Sequence, residues 1–219
     1  AAQLISYEIP LIVIAITIAM LAGTLNLTAI ATGQGNTWYV LLQPLALIIF
    51  LLAGLAEVGR SPFDIFQAES ELVGGPFIEY SGAHWSIFFL AEYINTFLVA
   101  ALITIFFLGG WSGPLLPEVA WFLIKCYSVI IVMFWLRGTL PRLRIDQLMA
   151  FGWQALVPLS FLNFLMVSFA LFYGWPDWVQ TGLSLTVLAA ASTFVYIKTA
   201  GKKARPTVRL IPAREVRRA

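Results

Sequence analysis

The sequence predicts an all-α fold: a polytopic membrane helix bundle of about six transmembrane helices with a folded acidic loop on one side. Three observations predict it. Hydrophobic residues fill 60% of the 219 positions and charged residues only 11%, where soluble domains carry roughly a quarter charged residues. The apolar residues gather in long runs with almost no polar face, which a soluble helical protein would need. The basic residues also segregate to one side of a six-pass topology, as the positive-inside rule requires.

The six runs lie near 5–31, 38–57, 84–108, 118–137, 148–173 and 178–198. Each reaches the roughly 20 residues that cross about 30 Å of hydrocarbon. Pro10, Pro44 and Pro158 fall inside or near these runs, where membrane helices tolerate proline. The linkers 32–37, 109–117 and 174–177 contain no Lys or Arg. Arg60, then Arg137, Arg142 and Arg144, then the tail from Lys198 to Arg218, carry twelve of the thirteen basic residues and share the other side. That side is expected to be cytoplasmic, with both ends of the chain there. Trp111, Trp175 and Trp178 would then mark the outer interface. The chain is expected to form one transmembrane domain over 1–200 and a basic tail over 201–219. That tail reads as a topology determinant resting on anionic lipid, so no nucleic-acid partner is expected. Because the sequence starts at Ala1, one step before a membrane segment, we expect further chain upstream.

Composition also excludes several chemistries. One cysteine (Cys126) and one histidine (His84) cannot supply the ligands of an iron–sulfur cluster or a bis-His haem. Neither a P-loop nor a GxGxxG is present, so no nucleotide site is expected, and no metal site is expected. Any redox chemistry must use partner subunits or a diffusible carrier.

The segment 57–83 differs from everything around it. Glu57, Asp64, Glu69, Glu71 and Glu79 are five of the eleven acids, and only Arg60 opposes them. Gly, Pro and aromatic residues suggest a folded loop packed on the cytoplasmic face. Crowded, partly buried carboxylates repel one another, so one or more could exchange protons near neutral pH. A solvated acidic loop or a docking patch for a basic partner is the plainer alternative. Charges also enter the apolar runs. Glu92 lies about 12 Å into the third run at 1.5 Å per residue. Lys125 enters the fourth from the opposite side, so a Glu92–Lys125 pair is open. Glu8 sits at the cytoplasmic end of the first. Intramembrane charges are costly and usually face a bundle interior or a wet cavity. His84 and Cys126 read as structural residues.

Several blocks resemble a known family. These are Ile5-Ser6-Tyr7-Glu8, Glu57 with Arg60-Ser61-Pro62-Phe63-Asp64, Glu69-Ser70-Glu71-Leu72-Val73, Glu79-Tyr80-Ser81-Gly82, Ala91-Glu92-Tyr93, Gly109-Gly110-Trp111, and Pro141-Arg142-Leu143-Arg144-Ile145-Asp146-Gln147. In this order they resemble the H subunit of respiratory complex I, NADH-quinone oxidoreductase, a family with about three more helices upstream. The resemblance implies a membrane subunit that forms part of the quinone chamber, with quinone as substrate. Glu8, Glu57, Asp64, Glu69, Glu71, Glu79 and Glu92 would then form a proton relay of loop and intramembrane acids. Arg60, Phe63, Tyr80, Arg142, Arg144 and Asp146 would belong to the quinone-site loops and their partner contacts. The implied partners are the subunits of the quinone headgroup site and of the terminal iron–sulfur cluster, and the small and antiporter-like membrane subunits. FMN and iron–sulfur clusters would reside only in partners, in a bacterial plasma membrane. The chain departs from the family pattern at Val58-Gly59, at Gln67 in place of a usual acid, and at Gly74-Gly75-Pro76. These departures touch loop geometry and relay stoichiometry. Alternatives are the homologous subunit of a membrane-bound hydrogenase or other-donor complex, a stand-alone ion transporter, and an inactive fragment. The absence of an inverted repeat weighs against the transporter.

Overall fold

The structure is a computed structural model. It describes residues 2–35, 37–60, 62–63, 80–114, 116–141, 143 and 145–202, without the side chains of 2–4, 145 and 194–202. The described residues are helical and contain no strand. In chain order the helices are α1 Ala2–Ala22, α2 Leu27–Gly33, α3 Tyr39–Leu42, α4 Pro44–Glu57, α5 Ala83–Phe107, α6 Glu118–Thr139, α7 Ile145–Phe151, a π-helical turn Gly152–Leu156, α8 Val157–Phe172 and α9 Asp177–Lys202. The described residues up to Leu185 form one compact unit, and those from Thr186 onward belong to a second.

Among the described residues, four helical stretches are long and apolar enough to cross a membrane: Ile5–Ala22, Ala83–Phe107, Glu118–Thr139 and Asp146–Phe172. The fold is therefore an all-α polytopic membrane bundle. Two of the six expected runs are broken, each for a local reason. The run 5–31 stops at Ala22 because Gly23 turns left-handed at φ 69°, a conformation that costs other residues more. Thr24 N–H then donates to Ala19 O at 3.1 Å. The chain re-enters helix at Leu27, where the Asn26 side chain caps Thr28 N–H at 3.0 Å. The run 38–57 breaks at Gln43, and Pro44 opens the next helix, where its missing N–H costs nothing. At 14 residues α4 is short, about 21 Å. With α3 the path from 39 to 57 approaches the hydrocarbon thickness. The run 148–173 is continuous through the π turn, which immediately precedes Val157-Pro158. The proline ring crowds the carbonyl four residues back, and that residue, Gln154, lies in the widened turn. The final helix is long but less apolar than the others.

Helix α1 packs against α8 and α4, α4 against α5, and α5 against α6. Burial follows this order. Ile14 and Ile18 of α1, Ala46, Ile49 and Ala53 of α4, and Ala100 and Ile103 of α5 are buried. Gly54 lets α4 approach α5, since a Cβ there would lie 2.5 Å from Val99 Cγ1. The opposite faces carry Ile12, Ile16, Leu90, Leu98, Ile131, Trp135, Leu165 and Phe169 outward. In water these would be a liability; lipid is their natural solvent.

At the end expected to face outward, loops close on two buried polar residues. Gln34 is fully buried. Its Nε2 donates to Ile105 O at 2.9 Å and Phe106 O at 3.1 Å, and its Oε1 accepts from Gly109 N–H at 2.9 Å and Tyr39 N–H at 3.3 Å. It thus ties the α2–α3 linker to the end of α5. Replacing it by leucine leaves two amide protons and three carbonyls, that of Ile30 included, without this partner. A Gln34→Leu variant is expected to lose about 2–4 kcal/mol, read as a lower midpoint of detergent-induced unfolding followed by circular dichroism.

Candidate functional site

The C-terminus of α4 builds the site. Gly59, at φ 70°, reverses the chain just past the helix. Gly59 N–H donates to Ala56 O at 3.1 Å, and Arg60 N–H to Leu55 O at 3.4 Å, the paired bonds of a glycine-terminated helix. That reversal turns Arg60 back into the bundle, where only 4% of its side chain is exposed. Arg60 Nε lies 2.9 Å from Glu92 Oε1. Its guanidinium carbon lies 4.5 Å from the centre of the Tyr93 ring and 5.2 Å from that of Phe134. The Nε–H is not aligned on the carboxylate oxygen as a hydrogen bond requires, and Nη1 has no acceptor among the described residues. The contact is therefore an ion pair held between two aromatic faces, which attract a cation electrostatically. Glu92 stands nine residues into α5, so the pair sits about 14 Å along that helix.

The pair excludes the Glu92–Lys125 contact left open by the sequence. Lys125 is buried, but its ammonium runs the other way, to the far end of α5. It donates to Leu108 O at 2.7 Å, Ser112 O at 2.8 Å and Gly110 O at 3.1 Å, and lies 5.1 Å from the Trp38 ring centre. Three carbonyls match the three protons of an ammonium, and the long stem lets the charge reach them. Sequence position gave the depth of the Lys125 backbone but not the direction of its side chain.

A second cluster adjoins the first. Phe63 is buried; its ring stacks on Phe151 at 6.0 Å and tilts against Tyr7 at 5.8 Å. Tyr7 Oη donates to Leu148 O at 3.0 Å, and Leu143 N–H donates to Pro62 O at 3.1 Å. The segment after α4 and the one before α7 are thereby tied together and to α1. Glu8 and Glu57 are exposed and lie within electrostatic reach of one another as like charges. Asp146 is exposed in the first turn of α7. Tyr80 is exposed and packs against Phe88 at 5.2 Å and His84 at 6.3 Å, so His84 belongs to an aromatic row. Cys126 is buried with its Sγ 3.5 Å from Thr104 Oγ1, a packing residue. Of the expected site residues, the structure thus brings together Arg60 with Glu92 and Glu8 with Glu57, and it packs Phe63 against Tyr7, a residue outside the expected set. It leaves Tyr80 and Asp146 on the surface. Asp64, Glu69, Glu71, Glu79, Arg142 and Arg144 lie outside the described residues.

A family model described as NADH dehydrogenase matches residues 1–168. The chain belongs to the NADH dehydrogenase family. Among its relatives is the H subunit of NADH-quinone oxidoreductase from Geobacillus thermodenitrificans, 49% identical over 172 residues, which are 77% of this chain and 52% of the relative. The counterpart from Geobacillus kaustophilus is equally similar, at 49% over the same shares, and that from Bacillus thuringiensis is 48% identical. The chain spans about half the length of the curated relatives it matches. The family match covers α1 to most of α8 and so includes Arg60, Glu92 and both loops of the site. It ends before α9.

Sequence reasoning missed Tyr93 and Phe134 as partners of Arg60. Phe134 belongs to α6, about forty residues further along, so no local spacing marks it. Tyr93 adjoins Glu92 and could have been found only by knowing that Arg60 folds back. Breaking a buried pair leaves one uncompensated charge. Arg60→Met and Glu92→Met are each expected to destabilise by about 3–5 kcal/mol. The double variant should recover part of that loss, measured as unfolding midpoints around a double-mutant cycle. Additive losses would show that the two charges are not coupled.

Proposed function

We propose that this chain is a membrane subunit of a proton-translocating NADH-quinone oxidoreductase in a bacterial plasma membrane. In this reading it forms part of the quinone chamber. It would also carry a carboxylate relay toward antiporter-like subunits. The observation that carries the reading is the ion pair of buried Arg60 with partly buried Glu92 beside two tied loops, in a family whose relatives bear that name. Supporting it, the site has ionisable groups at two depths. Glu8 and Glu57 lie at the surface as mutually repelling acids, and Glu92 lies inside, its charge held by Arg60. A change of charge at a quinone beside these loops would act strongly on all three, because Coulomb energy rises as the dielectric falls.

The residues would act as follows. Arg60 holds the Glu92 side chain in place as its ion-pair partner, so that Glu92 stands where the relay would pass. Glu57, partly desolvated by its surroundings and also repelled by Glu8, accepts a proton more readily than an isolated carboxylate. Phe63, Tyr7 and Phe151 fix the loop that joins these groups, and the acids of the acidic loop would extend the series toward the quinone. The electrons come from FMN and iron–sulfur clusters in partner subunits, including the one with the terminal cluster.

Two measurements test this. Gentle purification from the native membrane should recover the chain with flavin, iron–sulfur and antiporter-like subunits, identified by mass spectrometry. Recovery with a nickel hydrogenase subunit, or alone, would overturn the assignment. In inverted membrane vesicles, Glu92→Gln, compared at equal amounts of assembled complex, should lower coupled quinone reduction and proton pumping at least tenfold. Full coupled turnover would remove Glu92 from the relay.

A further inference from the structure

Asn163 stands in the middle of α8 with none of its surface exposed. Neither its Nδ2 nor its Oδ1 has a hydrogen-bond partner among the described residues. Its level in the bundle follows from two fixed points. At one end of the α1–α8 packing, a Cβ on Gly152 would lie 2.9 Å from Ser6 Oγ; at the other, Ser168 Oγ lies 3.8 Å from Met20 Sδ. The two helices run in the same direction, and interpolation between these points sets Asn163 level with Ile16, one residue before Thr17.

Two buried hydroxyls share this region. Thr17 and Ser160 are both fully buried. Thr17 Oγ1 donates to Val13 O at 2.7 Å, and Ser160 Oγ donates to Val157 O at 2.8 Å. Their protons are committed to their own helices, while their oxygens keep lone pairs. Near this level the two packed helices therefore offer an amide donor and three oxygen acceptors, and Ile14, Ile18 and Val167 on the same helices are buried as well. None of the residues from 9 to 22 on α1 or from 157 to 172 on α8 carries a charge, so nothing there selects an ion. The occupant must both donate and accept, and it must fit where no side chain is open to the surface. Buried polar groups lacking a protein partner are characteristically paired with internal water, and such water makes about three hydrogen bonds.

We propose that Asn163 holds buried water between α1 and α8, with Thr17 and Ser160 as further acceptors. The site lies about eight residues, or about 12 Å, along α1 from the level of Glu8. It carries polar, exchangeable groups from the loop end into the middle of an otherwise apolar packing.

X-ray radiolytic footprinting tests this on the chain purified gently from its own membranes with whatever subunits accompany it. Radiolysis of bound water labels the side chains beside it. Val167 and Ile14 are expected to be labelled at least fivefold more than the equally buried Ile103 and Leu55. That excess should vanish in Asn163→Leu, and the unfolding midpoint of the variant should stay level or fall, because leucine displaces bound water and its hydrogen bonds. Labelling of wild-type Val167 and Ile14 at the level of Ile103 and Leu55 would overturn the site. So would a raised midpoint in Asn163→Leu, the mark of a dry, unpaired amide. Should the variant fail to fold, the wild-type labelling alone decides.

Discussion

The Arg60–Glu92 ion pair is the constraint on which the rest of this bundle depends. Neither charge can be buried alone, since the desolvation cost of each exceeds what packing returns. The fold therefore has to bring α4 and α5 together at one depth and in one rotation. It does so by ending α4 early, reversing the chain at Gly59 and pressing Gly54 against Val99. Tyr93 and Phe134 close around the guanidinium, which fixes α6 against α5 as well. The polar contact is modest in itself, but it leaves few other ways to assemble these three helices.

The opposite end of the bundle solves a different problem with similar means. Loops between membrane helices expose backbone carbonyls and amides that lipid cannot satisfy. Gln34 and Lys125 meet that need from two directions. Gln34 supplies both donors and an acceptor from the linker after α2, and Lys125 supplies an ammonium to three carbonyls of the turn after α5. The single lysine that breaks the one-sided distribution of basic residues is thus consumed in closing a loop. Its charge is no exception to the topology argument, because it is matched by backbone dipoles.

How much was legible in the sequence depended on the range of the interaction. Helix class and most spans could be read, because apolarity over twenty residues is a local property. The breaks at Gly23 and Pro44 were legible in principle, since both residues punctuate helices, but long apolar runs masked them. Glu92 and Arg60 were singled out individually. Their pairing was not readable, because it depends on how the chain turns after Glu57 and on the rotation of α5. Lys125 illustrates the same limit: its depth could be counted, but its long side chain chose the loop and not Glu92. Gln34 gave no signal at all, since a glutamine between two glycines looks like an ordinary solvated linker.

The depth of Glu92 has an electrical consequence. The potential across an energised membrane drops mainly through the hydrocarbon, about 2.3 kcal/mol per unit charge for each 100 mV. A unit charge moved from the nearer end of α5 to the level of Glu92 crosses about a third of that layer, which is worth about 0.8 kcal/mol per 100 mV. Arg60 and Glu92 stand in contact with opposite charges, so the field pulls on the two in opposite directions and finds almost no net charge on the pair. Held together, the two side chains can lie in an energised bilayer without either being driven along the membrane normal.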